Sequence, residues 1–484
     1  MSDSEKKNTG KTVVNNMAWR FAERCGAQIV TFVVSVVLAR ILDPEAYGTI
    51  ALITVFTTLL QVFVDSGLGN ALIQKKDADD LDFSTVFYFN ILMCAVLYGG
   101  MYFAAPLIAA FYEQPDLTDY VRVLSVVLIL SGVKNVQQAY VSRNMMFRRF
   151  FFATIGGTIG AAVVGIWMAW MGYGVWALIA QNVFNQAVGT IILWLTVKWR
   201  PRMMFSWSRL KGLFSYSWKL LAANLIQILT RDLWQLIIGK LYSSDDLAFY
   251  NKGQQFPDLI VQNVNTSIDS VLLPAMSTEQ DNKKRVYEMT RRSVRVSSYI
   301  MWPLMVGMAV CSPSIVSLVL TDKWLPCVPF MRIFCVTMAF YPIHTANLNA
   351  IKAVGRSDLL LKMEIMKDAI SIATAFATMH FGVMVMAYSM LFTSLCSQII
   401  NSWPNRKLLG YRYSDQVKDM LPAIGLSLGM GAAVWGVELL GLSALWTLLI
   451  QVPLGVVLYI LGSVVLKIDS FNYILNMLRS FLKK

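Results

Sequence analysis

Apolar runs of about 20 residues, separated by short polar breaks, follow one another along almost the whole chain. A run of that length crosses a bilayer as an α-helix, and within hydrocarbon only helices and closed barrels satisfy every backbone hydrogen bond. Since 56% of the 484 residues are hydrophobic, the pattern predicts an all-α polytopic membrane protein with about 14 transmembrane helices. The polar N-terminal segment leads directly into a full-length span, so no cleavable signal peptide is expected.

Basic residues are distributed unevenly between the polar breaks, although the whole chain carries a net charge of +13. Every second break holds almost no lysine or arginine, whereas the others hold groups such as Arg148 and Arg149, or Lys283 and Lys284. Cytoplasmic loops are enriched in these residues, so the pattern predicts that both termini are cytoplasmic. The basicity then reflects topology and affinity for anionic lipid, and no nucleic-acid partner is expected.

A motif near the N-terminus recurs weakly 200 residues later. Residues 37–48, V-L-A-R-I-L-D-P-E-A-Y-G, join the first two spans, and in the copy Arg40 aligns with Lys240 and Gly48 with Ala248. Because the copies lie six spans apart, we expect two six-helix lobes related by a pseudo-two-fold axis along the membrane normal. The predicted parts are an N-terminal lobe (1–198), a C-terminal lobe (199–410), two additional transmembrane helices (411–466) and a cytoplasmic amphipathic tail (467–484).

The run from Trp218 to Lys240 is long enough to cross the bilayer but carries an arginine near its middle. Arg231 lies about 13 Å from Lys240 along a helix, close to the midplane of a hydrocarbon core about 30 Å thick. A charge at that depth is expected to face a water-filled cavity, where a guanidinium is a good ligand for phosphate. The alternative is an internal ion pair with Asp232 or another helix. Three amides share the helical face of the arginine: Asn224, Gln227 and Gln235.

Two further cations are candidates for the same cavity. Lys134, in the fourth span, lies about 13 Å from the interfacial Arg143 and is the N-terminal counterpart of Arg231. Arg24 lies near the cytoplasmic end of the first span. The three cations form the predicted substrate-binding site.

The eighth span carries a continuous polar stripe whose members are spaced by three and four residues. Such a stripe lines water or packs on another polar stripe. Its amides are expected to line the cavity, and its carboxylates, together with Asp65 at the end of the second span, could bind a coupling ion. Each carboxylate has the alternative role of a static partner for a nearby arginine. The stripe consists of Gln255, Asp258, Gln262, Asn265 and Asp269.

Four short motifs resemble those of one transporter family. A-R-x-L-x-P-x-x-x-G occupies residues 39–48, D-S-G-L-G-N-A-L-I-Q 65–74, R-x-x-x-F 143–147 and D-K-W 322–324. In order and spacing, over essentially the whole chain, they resemble the polysaccharide transport family. This is the Wzx-type branch of the multidrug/oligosaccharidyl-lipid/polysaccharide flippase superfamily, and the colanic-acid exporter group is the most similar part of it. The mixed-charge segment 75–82 is expected to be a solvated connector.

The resemblance implies a flippase that moves undecaprenyl-pyrophosphate-linked oligosaccharide repeat units from the inner to the outer leaflet of a bacterial cytoplasmic membrane, for exopolysaccharide, capsule or O-antigen synthesis. It also implies two lobes, alternating access and a cationic central cavity. The implied partners are membrane lipid, the lipid-linked glycan, and polysaccharide polymerase and export machinery. No enzymatic activity is expected, and no cofactor beyond a coupling proton or sodium ion.

Other functions differ in the cavity chemistry that they require. A multidrug antiporter of the same superfamily would need an acidic, aromatic cavity for cationic substrates, whereas the deepest charges here are basic. A flippase for a peptidoglycan precursor would have the same cavity chemistry and differ in substrate. A membrane-embedded glycosyltransferase would need a large external loop or an acidic metal-binding motif, and every external break here is short. Six scattered cysteines and two histidines predict no metal site.

Overall fold

The computed structural model describes residues 19, 23, 26–65, 68–75 and 77–482. These residues form helices and connecting turns, and no β-strand occurs among them. Nine of their helical segments are long and apolar enough to cross a membrane. The all-α polytopic membrane class is thereby confirmed, whereas the total of about 14 spans stays a prediction.

The chain divides by its contacts into two compact units, Met1–Asp245 (unit 1) and Asp246–Lys484 (unit 2). Unit 1 contains α1 (Gly26–Ile41), α2 (Pro44–Val64), α3 (Leu68–Gln74), α4 (Asp80–Tyr112), α5 (Leu117–Leu124), α6 (Val126–Arg143), α7 (Phe147–Trp170), α8 (Val175–Thr196) and α9 (Trp207–Leu241). Unit 2 contains α10 (Ser244–Thr278), α11 (Lys283–Val319), a 3-10 turn (Asp322–Cys327), α12 (Val328–Met338), α13 (Tyr341–Ala353), α14 (Ser357–Thr378), α15 (Val383–Leu408), α16 (Tyr413–Glu438), α17 (Ala444–Val465) and α18 (Asp469–Leu482).

Helix starts in unit 1 follow local sequence signals. Pro44 occupies the first turn of α2, where its missing amide leaves no hydrogen bond unmade. A capping box starts α4, because the Asp79 side chain accepts from the Asp82 backbone amide and the Asp82 side chain from that of Asp79. The Ser206 side chain caps α9 by accepting from the backbone amide of Arg209.

Helix α9 packs against α2, α3 and α4 and so belongs to unit 1 by its contacts. The sequence repeat instead places this helix at the start of the predicted C-terminal lobe (199–410). The lobe border at residue 198 rests on the sequence repeat and stays a prediction, because the contacts of α9 show only which helices it packs against.

The segment after α3 is a packed charge cluster. Asp82 is fully buried and lies 2.6 Å from the Lys75 ammonium and 3.3 Å from the Arg209 guanidinium. Arg143, the first residue of the R-x-x-x-F motif, donates to the carbonyls of Leu72 and Lys75 at the end of α3. The expectation of a solvated connector over 75–82 was therefore wrong for Asp82, because its buried carboxylate pairs with Lys75 of the same segment and with Arg209 at the start of α9.

The last three helices pack on α11 in unit 2. Asp419, near the start of α16, accepts hydrogen bonds from both Arg291 and Arg295 of α11 at distances of 2.5–2.9 Å. In α18, Asp469 lies 3.7 Å from Arg295, and the Tyr473 ring lies 5.0 Å from the Arg292 guanidinium. The first of the two additional spans, α16, and the amphipathic tail are thus attached to α11 by the arginines near its start.

Pro303 lies within α11 and has no backbone N–H to donate to the carbonyl of Tyr299, one turn earlier. The hydroxyl of Tyr459, on α17, donates to that carbonyl over 2.8 Å. Membrane helices tolerate proline where a neighbouring helix supplies the missing donor in this way. Helix α17 therefore completes the hydrogen bonding of α11.

Candidate functional site

Arg231 lies on α9 and forms a bidentate ion pair with its neighbour in sequence. Its Nε and one terminal nitrogen lie 2.8 and 3.2 Å from the two carboxylate oxygens of Asp232. The Asp232 side chain is 6% exposed, whereas that of Arg231 is 64% exposed. The ion pair considered as an alternative from sequence is therefore present, but it leaves most of the guanidinium surface accessible to a ligand.

The predicted amide face of α9 is also accessible. Asn224 and Gln227 are exposed, and Gln235 is half-buried. With Arg231, these residues recur at helical spacing over nearly three turns of α9. A span-length helix in unit 1 thus presents three amides and one guanidinium on one face.

The polar stripe on α10 in unit 2 is divided between internal contacts and exposed groups. Gln255 accepts a hydrogen bond from the buried Lys252, and Asp269 accepts one of 2.6 Å from Asn349 of α13. Gln262 is exposed, while Asp258 and Asn265 are half-buried. The exposed face is wider than the predicted stripe, because it includes four side chains that the sequence interpretation omitted: Asn263, Thr266, Ser267 and Ser270.

Lys134 lies in a polar cluster inside unit 1. Its ammonium donates to the amide oxygen of Gln186 on α8 (3.1 Å), and the Gln186 amide nitrogen donates to Ser131 on α6 (2.5 Å). Asp65, at the end of α2, accepts from the side chain of Asn135 at 3.0 Å. The carboxylate of Asp65 also acts electrostatically on Lys134. Two predicted site residues, Lys134 and Asp65, are thus brought together in one unit.

Glu23 belongs to this cluster and was missed as a site residue. Its side chain is buried, accepts a 2.9 Å hydrogen bond from Thr154 of α7 and acts electrostatically on Lys134. Gln186 was missed as well, because it is one of four amides on α8 and its spacing does not set it apart from Gln181, Asn182 and Asn185. Two carboxylates and several amides therefore surround the Lys134 ammonium, and the cluster is not simply cationic.

Arg24, the third predicted cation, lies outside the described residues. Within the part of the chain that is described, no group of three or more histidine, cysteine, aspartate or glutamate side chains could hold a metal ion.

The motif at residues 39–48 has a structural role at the end of unit 1 where α2 begins and α9 ends. Gly48 lies so close to the turn after α9 that a Cβ at this position would be 1.7 Å from the carbonyl oxygen of Ser244. Lys240 contacts the carboxylate of Glu113 at 3.1 Å, and the Gln114 amide donates to Ser244. The end of α9 is thus fastened to the ends of α2 and α4, and a side chain at residue 48 would prevent this approach.

Comparison with known proteins gives one family match and several distant relatives. The sequence model of a family described as polysaccharide biosynthesis protein matches residues 37–329. The teichuronic acid biosynthesis protein TuaB of Bacillus subtilis is 22% identical over 414 residues, covering 84% of this chain and 85% of that protein. The succinoglycan biosynthesis transport protein ExoT of Rhizobium meliloti is 22% identical over 351 residues, covering 72% and 71%.

Two solved structures share the fold. The lipid II flippase MurJ in an inward closed conformation aligns with a TM-score of 0.75 and 13% identity, covering 93% of this chain and 98% of that chain. An inward-facing multidrug resistance transporter of the MATE family aligns with a TM-score of 0.62 and 11% identity, covering 81% and 96%. At these identities the likeness concerns the fold alone.

Proposed function

Because the chain belongs to the polysaccharide biosynthesis protein family, as the order of its motifs indicated, we propose that it is a lipid-linked oligosaccharide flippase. It moves undecaprenyl-pyrophosphate-linked repeat units from the inner to the outer leaflet of the bacterial cytoplasmic membrane by alternating access. The names of two relatives, a teichuronic acid biosynthesis protein and a succinoglycan transport protein, support a glycan substrate. Both termini are cytoplasmic in this proposal, as the charge distribution predicts.

The observation that carries the proposal is an exposed guanidinium within a span-length helix. The pyrophosphate of the substrate loses water when it enters the membrane, and Arg231 replaces that water with charge-assisted hydrogen bonds. A planar guanidinium suits phosphate because it presents paired donors. Asp232 orients the arginine from one side and reduces its affinity for anions enough for the product to leave.

Two further cations assist in the proposal. Lys134 binds a second pyrophosphate oxygen, since an ammonium has three donors and Gln186 accepts from one of them. Arg24 keeps its predicted position at the cytoplasmic mouth. The sugars hydrogen-bond to the exposed amides on α9, which accept many glycan sequences because amides both donate and accept. The amides of the α10 stripe keep their predicted role as polar lining.

Return of the empty transporter requires energy, and carboxylates are the candidates for coupling it to a proton or sodium ion. Asp65 is the strongest candidate, because it lies in the Lys134 cluster and its charge acts on that lysine. Asp269 is already hydrogen-bonded to Asn349, which favours a static role. Asp258 keeps its predicted role on the α10 stripe. The polysaccharide polymerase and export machinery are the proposed downstream partners.

A multidrug antiporter with the MATE fold is the second candidate for this architecture. Cationic drugs would be repelled by Arg231 and Lys134, the two charges that lie deepest in the predicted spans. The anionic lipid-linked substrate is therefore preferred.

Translocation of a fluorescent undecaprenyl-pyrophosphate oligosaccharide in proteoliposomes tests this function. We expect Arg231→Gln to reduce the flipping rate at least tenfold, because the lost charge-assisted hydrogen bonds are worth about 1.5–3 kcal/mol. The matched control is Arg356→Gln, which breaks a similar bidentate pair with Asp358 at the start of α14. Wild-type rates in both variants would make Arg231 a structural residue. A folded wild-type protein that flips nothing but exports cationic drugs would overturn the function itself.

A further inference from the structure

Each unit contains a long helix in which a proline frees a carbonyl group. In α4 Pro106 cannot donate to the carbonyl of Tyr102, and in α11 Pro313 cannot donate to that of Ala309. A carbonyl without a donor inside a membrane costs several kcal/mol. Each of these carbonyls is therefore expected to accept from a side chain in place of the missing backbone amide.

An arginine supplies that donor in both units. Arg122 of α5 donates from Nε to the Tyr102 carbonyl over 3.4 Å, and Arg332 of α12 donates from Nε to the Ala309 carbonyl over 3.2 Å. Neither arginine was among the predicted site residues, because each lies near the start of its span and reads as an interfacial charge. The recurrence shows that the two repeats share a proline–arginine pair.

The two arginines differ in what surrounds the rest of the guanidinium. Arg122 lies 3.9 Å from the carboxylate of Asp119 and over the ring of Tyr102, 4.2 Å from its centroid. Arg332 has no carboxylate within 4 Å among the described residues. A neighbouring carboxylate thus lies close to the arginine in unit 1, whereas none does so among the described residues in unit 2.

Arg332 also lies on an apolar exposed surface. Exposed side chains follow the 3-10 turn and α12 at intervals of four, three and four residues, which makes one stripe along the helix. Apart from the arginine, the stripe contains only apolar groups, as is typical of a surface that faces lipid. The stripe consists of Leu325, Pro329, Arg332 and Val336.

We propose that Arg332 binds the phosphate group of a bilayer lipid in the leaflet at the Asp322 end of unit 2, which is external in the predicted orientation. Ala309 lies about 15 Å from the end of α11 at Val319, and α11 is about 55 Å long against a hydrocarbon core about 30 Å thick. Part of that 15 Å therefore lies among the headgroups, and an arginine side chain spans the remainder. The Ala309 carbonyl holds Nε, and the terminal nitrogens contact phosphate oxygens.

Arg122 serves as a control for Arg332, because removing Arg122 affects α4 differently from the way in which removing Arg332 affects α11. Ser312 also donates to the Ala309 carbonyl, over 2.7 Å, so this carbonyl keeps a partner without Arg332. The equivalent position in α4 is Ala105, which has no hydroxyl. Removing Arg122 therefore leaves a carbonyl without its described side-chain donor, and removing Arg332 does not.

Native mass spectrometry of the full-length protein, purified in the presence of phosphatidylglycerol, tests the site. We expect Arg332→Met to retain this lipid about fivefold more weakly than wild type, the factor given by one basic side chain near an anionic surface. Arg122→Met should retain the lipid as wild type does but unfold at a lower temperature. Arg332→Lys, which keeps the charge, should show an intermediate loss and provides the comparison if the methionine variant fails to fold.

Two results would overturn the site. Equal retention of phosphatidylglycerol by wild type, Arg332→Met and Arg332→Lys would leave Arg332 with a structural role only. Displacement of phosphatidylglycerol from wild type by an equimolar amount of undecaprenyl pyrophosphate, abolished in Arg332→Met, would assign the site to the transported substrate. Neither result depends on whether Arg231→Gln changes the flipping rate, so the proposed function and the lipid site can fail separately.

Discussion

Lys134 and Arg231 were predicted as equivalent midplane cations, but their surroundings differ. Lys134 lies in a cluster to which α2, α6, α7 and α8 contribute polar groups, and two carboxylates, Asp65 and the buried Glu23 of the first span, act on it electrostatically. Arg231 forms its described ion pair with Asp232, the next residue on α9, and most of the arginine side chain is exposed. A charge shared among several helices is costly to remove from the fold, whereas one presented on a single helix can meet a ligand at little structural cost.

The largest expected effect on stability is that of Lys134→Met. The substitution removes the donor to Gln186 and leaves the carboxylates of Glu23 and Asp65 without their cation, so we expect a loss of roughly 2–3 kcal/mol in the free energy of unfolding. Denaturant unfolding in detergent measures this change. Adding Asp65→Asn should recover part of the loss, because it removes one uncompensated charge.

The difference between the structural Lys134 and the exposed Arg231 would be contradicted if Lys134→Met unfolded like wild type but flipped no substrate. Lys134 would then be a substrate contact of the same kind as Arg231, with no structural contribution.

The helix cap formed by Asp79 at the start of α4 is expected to contribute less to the stability of unit 1 than the Lys134 cluster does. The backbone amide of Asp82 donates to Asp79 and lowers the pKa of that carboxyl group. Because the pKa is lower in the folded state, this stabilisation is present above the ordinary aspartate pKa of about 3.9 and is lost as the pH falls through the folded-state value. We expect Asp79→Ala to cost about 1 kcal/mol at pH 7.

Unfolding temperatures of wild type and Asp79→Ala, measured from pH 7 down to pH 3, check this expectation. The difference between the two proteins should shrink toward the acid end. A difference that stayed constant with pH would mean that the charge of Asp79 does not contribute to the cap.

The smallest expected effect on stability is that of Asp232→Asn. Its partner Arg231 is largely exposed, and asparagine keeps the size of the buried side chain, so we expect a change below about 1 kcal/mol in the free energy of unfolding. Loss of the competing carboxylate should, however, lower the KM for the lipid-linked substrate, because Asp232 then no longer competes with phosphate for the guanidinium. An unchanged KM together with a large loss of stability would make Arg231 and Asp232 a structural pair comparable with the Lys134 cluster.

Sequence periodicity predicted the polar faces because it reports which side chains share a face of one helix. One such case is the face of α9 that carries the exposed Asn224 and Gln227 together with Arg231 and Gln235. Periodicity does not report which neighbouring helix meets that face. Gln186 and Glu23 were therefore missed, since their importance arises from α8 and the first span meeting α6 around Lys134.

The charged segment 75–82 was misinterpreted for the same reason. Its composition is typical of a solvated loop, and burial of Asp82 becomes favourable because Lys75 and, from the start of α9, Arg209 pair with its carboxylate. Likewise, a proline is visible in the sequence, but the arginine or tyrosine that satisfies its freed carbonyl lies far along the chain.

The contact between Tyr299 and Tyr459 has a consequence for biosynthesis. The two residues are 160 positions apart, so the ribosome completes α11 long before it makes α17. Until the last span enters the membrane, the carbonyl that Pro303 frees must be hydrated or meet a temporary donor. Helix α11 can therefore complete its hydrogen bonding only after translation of nearly the entire chain, and a protein truncated before α17 would present this unfinished helix to the quality-control machinery of the membrane.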